Sequence, residues 1–172
     1  MKNLEHLRVV LTGGSQGIGK ETVLAFLQAG AQVVFTARRE SVAQEMLDEC
    51  KTYVDAGKLY FCKADVANKE DVQQLVAFVD HAMGGCNTLV NNAGVFVDGL
   101  LHESKEEDFD SIYSVNVKGI YNMCKYFLPQ MIEQKSGTII NIASVAGKGG
   151  EYNMPLYSSS KAAVINLTQS MA

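Results

Sequence analysis

Five short apolar segments recur along the chain, and each is followed by residues whose apolar positions repeat at helical spacing. The segments span residues 7–11, 31–37, 59–64, 88–90 and 138–143. They are apolar throughout instead of alternating, which is typical of strands in a parallel sheet covered by helices on both faces. Right-handed crossovers then predict an α/β fold: a Rossmann-like, doubly wound sheet of five strands in the order 3-2-1-4-5.

Local signals place the helix ends between these strands. Gly30 is predicted to end the first helix, Ser41 with Gln44 to cap the second, and Asn68 to cap the third, which Gly84-Gly85 closes. A long helical pattern covers residues 106–134, with Gly119 and Pro129 as its weak points. A glycine-rich loop, 147–155, precedes a last helix that starts near Tyr157.

Composition narrows the class of protein. A length of 172 residues predicts one domain, 1–172, with 47% hydrophobic and 20% charged residues. The net charge of −4 argues against nucleic acid or an anionic membrane surface as partner. No apolar stretch reaches the length of a membrane span. Residues 1–8 lack the apolar core of a signal peptide, so a cytoplasmic location is expected.

Cysteine and histidine give no sign of a metal site. The four cysteines have no C-x-x-C spacing, and reduced, mostly buried thiols are expected. His6, His81 and His102 are isolated from cysteines and carboxylates at ligand spacing. We therefore predict no metal.

The first strand runs into a glycine-rich turn, Gly13–Gly19, followed by a helix. Glycine permits positive φ and lets backbone N–H groups approach a ligand closely. The helix directs its positive dipole end to the same place, which favours a phosphate. Spaced glycines alone are equally compatible with an ordinary strand-to-helix turn. However, polar or glycine clusters also follow the other four strands, where doubly wound folds bind ligands.

Tyr157 and Lys161 are four residues apart on a predicted helix and therefore share a face. Tyrosine ordinarily ionises near pH 10, and a neighbouring ammonium stabilises the phenolate. Tyr157 could then exchange a proton with an alcohol or ketone while Ser144 hydrogen-bonds the same oxygen. In isolation, the pair is also compatible with a half-buried aromatic beside a solvated lysine. Ser144 and Asn116 could likewise be ordinary structural polar residues.

Together these motifs resemble the short-chain dehydrogenase/reductase family along almost the whole chain. Thr12–Gly19 matches the T-G-x-x-x-G-x-G cofactor loop, and the N-N-A-G segment and Y-x-x-x-K pair are present. The resemblance implies an oxidoreductase acting on an alcohol or ketone, with catalytic residues Asn116, Ser144, Tyr157 and Lys161. Asn116 would hold a water linking Lys161 to solvent, and Asp65 would contact the adenine. The implied cofactor-binding residues are Gly13, Ser15, Gln16, Gly17, Ile18, Gly19, Arg38, Arg39, Asp65, Val66, Asn92, Ala93, Gly94, Tyr157 and Lys161.

The residues at the end of the second strand bear on whether the cofactor is NADP(H) or NAD(H). An acidic residue there would accept from the ribose 2′-hydroxyl of NAD, but the chain has Ala37 followed by Arg38 and Arg39. A guanidinium can bind a 2′-phosphate, so NADP(H) is favoured over NAD(H). Against this, Gln16 occupies a position that is often basic in NADP enzymes of the family. Both arginines could also be solvated turn residues.

Length is the main departure from the family, whose members continue with two more strands and a substrate lid. The alternative function is therefore a non-catalytic dinucleotide-binding or interaction module.

Phe96, Tyr152 and Met154 suggest an apolar substrate pocket. The resemblance also implies a homodimer or homotetramer.

Overall fold

The sheet has five parallel strands in the order β3-β2-β1-β4-β5. The computed structural model describes residues 3–172, so Met1 and Lys2 of the predicted domain lie outside the described residues. The predicted strand order and parallel pairing are confirmed. The strands are β1 (Arg8–Thr12), β2 (Gln32–Ala37), β3 (Leu59–Lys63), β4 (Thr88–Asn91) and β5 (Thr138–Asn141).

Helices cover both faces of this sheet, as predicted. They are α1 (Gly17–Gln28), α2 (Glu40–Glu49), α3 (Lys51–Asp55), α4 (Lys69–Met83), α5 (Glu106–Tyr113), α6 (Ile120–Glu133), α7 (Ala146–Gly149) and α8 (Pro155–Met171). Because side chains alternate along a strand, Val9 and Leu11 pack towards α1 and α2. Val10 packs on the opposite face, towards α4, α6 and α8.

Most of the predicted helix ends are confirmed. Gly30 follows α1 with φ +96°, and Gly84 closes α4 in the left-handed region at φ +70°. The side chain of Asn68 caps α4 by accepting from the backbone N–H of Asp71 at 3.0 Å.

The predicted cap of the second helix is wrong. The helix begins at Glu40, with Arg39 in extended conformation as its N-cap residue, so Ser41 already lies inside the first turn. The Gln44 side chain donates to Asp48 one turn later and forms no capping box. The negative charge of Glu40 suits the positive end of the helix dipole, which accounts for a start without a hydroxyl cap. Cys50 then divides the second predicted helix into α2 and α3.

The long helix predicted over residues 106–134 forms, with a change of winding at its centre. Ser114–Gly119 is a π-helical turn between α5 and α6. Gly119 is required for packing, since a Cβ there would lie 2.6 Å from Cγ2 of Val66. Pro129 lies inside α6 without ending it.

The region before the last helix is more regular than predicted. Part of the 147–155 loop forms the short helix α7, and α8 begins at Pro155, two residues before Tyr157. Proline suits the first turn of a helix because its missing N–H has no intrahelical partner there.

Candidate functional site

The carboxyl ends of β1, β2, β3 and β4 open into one cleft of about 620 Å³. All the predicted cofactor-binding residues except Tyr157 and Lys161 line it. They are Gly13, Ser15, Gln16, Gly17, Ile18, Gly19, Arg38, Arg39, Asp65, Val66, Asn92, Ala93 and Gly94. These residues come from four separate stretches of sequence, so the fold brings them together as the strand-end argument predicts.

Glycines in the turn after β1 serve different purposes. Gly13 and Gly17 adopt positive φ, +68° and +53°. A Cβ on Gly19 would collide with the carbonyl oxygen of Gly13, whereas one on Gly17 would meet open space. Gly19 therefore permits close packing of α1 against the turn, and Gly17 contributes its backbone conformation.

The N-terminus of α1 is suited to an anion. Its N-cap residue, Gln16, makes no side-chain capping hydrogen bond, and no acidic residue lies in the first turn. Gly17, Ile18 and Gly19 of that turn line the cleft. An uncapped helix start with its positive dipole end beside a cleft fits the pyrophosphate of a dinucleotide.

The ends of β1 and β4 are joined by Thr12 and Asn92. Thr12 Oγ1 accepts hydrogen bonds from the backbone N–H groups of Asn92 and Ala93, both at 3.0 Å. In return, Asn92 Nδ2 donates to the carbonyl oxygens of Thr12 and Gly13 at 2.9 and 3.1 Å. The Asn92 amide nitrogen therefore holds the turn in shape and is not available as a donor to a ligand.

At the outer rim of the cleft, Arg39 Nη2 donates to Gln16 Oε1 at 2.7 Å. Arg38 and Arg39 are both exposed at the end of β2. Asp65, which also lines the cleft, accepts through Oδ1 from the backbone N–H of Ala67 at 2.9 Å. The Gln16–Arg39 bond joins two separate parts of the predicted cofactor site.

The Asn116 side chain is completely buried in the π-helical turn. Its Oδ1 accepts from the backbone N–H of Val95 at 2.8 Å, while Nδ2 donates to Val95 O and to Ser160 Oγ at 3.0 and 3.1 Å. Both amide hydrogens are thus used by protein partners. A water at this side chain would have only the second lone pair of Oδ1 to bond.

Lys161 is buried on α8. Its Nζ donates to the backbone carbonyl of Ile142 at 2.7 Å. Burial lowers the pKa of this ammonium below its usual value, because the charged form loses hydration. A Cβ placed on cleft-lining Gly94 would lie 3.8 Å from Nζ, so the lysine approaches the cleft at that glycine.

Tyr157 is partly buried, and its ring lies edge-on to that of Phe96 with centroids 5.1 Å apart. Lys161 Nζ is 5.7 Å from the centre of the Tyr157 ring. Ser144 lies on the α7 side, where its Oγ accepts from the N–H of Ala146 at 3.2 Å. Gly147 keeps α7 close, since a Cβ there would lie 2.6 Å from the backbone of Lys161.

Several site residues were missed by sequence reasoning. Thr36, Ala64 and Val115 also line the cleft, and Ser160 and Ile142 hold Asn116 and Lys161. Small or apolar residues carry no chemical signal in a sequence. The contact of Lys161 with the backbone carbonyl of Ile142 could not be predicted from the identity of any side chain.

Comparison with known proteins decides the family. The short chain dehydrogenase family model matches residues 8–172. The chain belongs to the short chain dehydrogenase family.

Similar proteins include 3-oxoacyl-(acyl-carrier-protein) reductase FabG of Thermotoga maritima, 36% identical over 98% of this chain and 68% of the relative. Another is dehydrogenase/reductase SDR family member 6 of Aquarana catesbeiana, 39% identical over 100% of this chain and 66% of the relative. A crystal structure of a short chain dehydrogenase/reductase from Burkholderia phymatum in complex with NAD has a TM-score of 0.89 and 32% identity, covering 95% of this chain. A short-chain dehydrogenase from Streptomyces avermitilis has a TM-score of 0.87 and the same identity and coverage.

This chain spans about two thirds of the length of the curated relatives and 58% and 60% of the two crystallised chains. Within residues 3–172, no helix is both long and apolar enough to cross a membrane. Nor do His, Cys, Asp and Glu form a group able to hold a metal ion in that range. The cytoplasmic location stays a prediction.

Proposed function

We propose that the protein is an NADP(H)-dependent oxidoreductase acting on an alcohol or ketone, with Tyr157 as general acid and base. The observation that carries this proposal is the position of Lys161. It lies beside Tyr157 on α8 and approaches, at Gly94, the cleft that the predicted cofactor-binding residues line. Family membership supports oxidoreductase chemistry.

The residues have separable roles in this proposal. When bound, the nicotinamide dinucleotide supplies or accepts the hydride. Tyr157 donates its phenolic proton to the substrate oxygen during reduction and takes it back during oxidation. Lys161 stabilises the phenolate through its positive charge, Ser144 hydrogen-bonds the substrate oxygen, and Asn116 holds the surrounding segments through Val95 and Ser160.

The rim of the cleft supports NADP(H) over NAD(H). The end of β2 presents Arg38 and Arg39, and no carboxylate stands at Ala37 to repel a 2′-phosphate. The hydrogen bond between Arg39 and Gln16 is compatible with a phosphate site, because a guanidinium has five donors and only one bond to Gln16 is formed. The guanidinium thus keeps donors for a 2′-phosphate.

A homodimer or homotetramer has a candidate contact surface on α5 and α6. Phe109 and Tyr121 are 45% and 49% exposed there. Acidic residues at the start of α5 and Lys118 and Lys125 further along would complement each other between two antiparallel copies. Sedimentation of the wild type and a Tyr121→Asp variant tests this surface.

The activity is tested by following NADPH oxidation with a panel of ketones, comparing the wild type with Tyr157→Phe. Loss of the proton donor should reduce kcat by about 10²-fold or more while NADPH binding is retained. Tyr53→Phe, on α3 and outside the lining of the cleft, is the matched control. Turnover unaffected by Tyr157→Phe would refute the mechanism. Cofactor binding with no turnover of any substrate would favour a non-catalytic module.

A further inference from the structure

Ser160 connects Tyr157 with Asn116, two residues of the proposed active site, through hydrogen bonds. Its hydroxyl donates to the backbone carbonyl of Tyr157 at 2.7 Å and accepts from Asn116 Nδ2 at 3.1 Å. Both Ser160 and Asn116 have no solvent exposure. Buried polar groups of this kind are costly to leave unpaired, so the two bonds constrain each other.

Asn116 is also connected with Tyr157 by a second route, through Val95 and Phe96. Its amide forms two hydrogen bonds with the backbone of Val95. The next residue along the chain, Phe96, packs edge-on against the Tyr157 ring with centroids 5.1 Å apart. Two routes of contact therefore connect Asn116 with Tyr157. One runs through Ser160 to the Tyr157 backbone, and the other runs through Val95 and Phe96 to the Tyr157 ring.

The loop that carries Phe96 is fixed at a further point. The backbone N–H of Gly99 donates to the carbonyl of Asn153 at 2.7 Å, just before α8 begins. Both residues adopt positive φ, +147° and +62°. Phe96 is therefore held between two attachments of its loop, one at Asn116 and one at the entrance to α8.

We propose that Ser160 is a positioning residue for Tyr157, setting the phenol relative to Lys161 through the Asn116–Ser160–Tyr157 hydrogen bonds. This inference rests on the proposed function in one respect, that Tyr157 is the proton-transfer group. Ser160 touches neither substrate nor cofactor in this proposal. Without its hydroxyl, Asn116 loses a partner, and the start of α8 loses this hydrogen bond to the π-helical turn.

Ser159 provides a matched control on the same helix. Its hydroxyl donates to the carbonyl three residues back, Leu156 O, at 2.9 Å, as that of Ser160 does to Tyr157. It also accepts a hydrogen bond, from the Tyr113 hydroxyl at 2.8 Å. However, Ser159 is exposed and belongs to neither route of contact between Asn116 and Tyr157.

The experiment compares wild type, Ser160→Ala and Ser159→Ala by steady-state kinetics over a range of pH. For Ser160→Ala we expect kcat to fall about tenfold, the effect of roughly one net hydrogen bond on a barrier. KM for NADPH should stay within about twofold, and one limb of the pH–rate profile should move by about half a unit. Ser159→Ala should match the wild type. Equal behaviour of the two variants would overturn the proposal.

A second readout does not depend on turnover. Aromatic NMR spectra of tyrosine-labelled protein, with Tyr157 assigned through Tyr157→Phe, report the surroundings of its ring beside Phe96. We expect the Tyr157 signals to shift and broaden in Ser160→Ala and to stay in place in Ser159→Ala. Unchanged Tyr157 signals in Ser160→Ala would overturn the positioning role. If the wild type reduces no carbonyl compound, the proposed function fails and these spectra still decide the role of Ser160.

Discussion

The Nζ atom of Lys161 donates a 2.7 Å hydrogen bond to the backbone carbonyl oxygen of Ile142, just beyond the end of β5. The ammonium of a buried lysine is thus fixed by the sheet, while the helix α8 carries its backbone. A Cβ on cleft-lining Gly94 would lie 3.8 Å from the same Nζ. One side chain therefore connects the end of β5, α8 and the wall of the cleft.

Replacing Lys161 by methionine should make the stability difference from wild type depend on pH. Burial lowers the pKa of Lys161 in the folded protein, so the unfolded chain binds more protons just below the ordinary pKa of lysine. The free energy of unfolding of the wild type should therefore rise with pH relative to that of Lys161→Met. Urea denaturation from pH 7 to 10 measures this difference.

The same change at Lys148, which is exposed on α7, controls for loss of a surface ammonium. A wild-type advantage that declines with rising pH would contradict the burial argument. Activity of Lys161→Met should fall by about 10²-fold or more, since the phenolate loses its nearby charge.

Removing either Arg38 or Arg39 should weaken the binding of NADPH more than the binding of NADH. A charge-assisted hydrogen bond contributes about 1.5–3 kcal/mol, so Arg38→Ala or Arg39→Ala should weaken NADPH binding by about 10- to 100-fold. NADH, which lacks the 2′-phosphate, should be affected far less and is the internal control. Cofactor fluorescence titrations give both dissociation constants. Equal losses for NADPH and NADH would refute the assignment of the rim to a 2′-phosphate.

A Thr12→Val change should destabilise the turn that joins β1 and β4. The hydroxyl accepts from two backbone N–H groups, and Asn92 N has a second acceptor in Val90 O at 3.2 Å. Ala93 N is left without its acceptor, at a cost of about 1–3 kcal/mol in the free energy of unfolding. Chemical denaturation measures this loss.

Thr36→Val is the matched control, because Thr36 lies opposite Thr12 in the sheet register and is equally buried. Within the described part of the chain its hydroxyl forms no hydrogen bond. If both valine variants lose equal stability, the bonds from Asn92 and Ala93 are not the reason for the Thr12 effect.

The fold was predictable because its signals are local and repeated. Uniformly apolar strands separated by helical periodicity, with Asn68 and Gly84 at the ends of α4, led to the observed order of five strands. Boundary predictions failed where neighbouring signals competed. Ser41 is a good capping residue, yet the helix begins two positions earlier than it predicts, with Arg39 as the cap and Glu40 as the first helical residue. The π-helical turn around Asn116 has no sequence signature comparable to a glycine or proline.

From the amino-acid sequence alone we could predict the parallel sheet, the glycine turn and the residues proposed to bind a dinucleotide and move a proton. These predictions depend on hydrophobic periodicity and on chemistry carried by individual side chains. The partners that hold those residues became visible only in the folded protein: the Ile142 carbonyl for Lys161, Val95 and Ser160 for Asn116, and Gln16 for Arg39. Hydrogen bonds act over about 3 Å, and here they join atoms 19 to 44 residues apart in the chain, which only packing brings together.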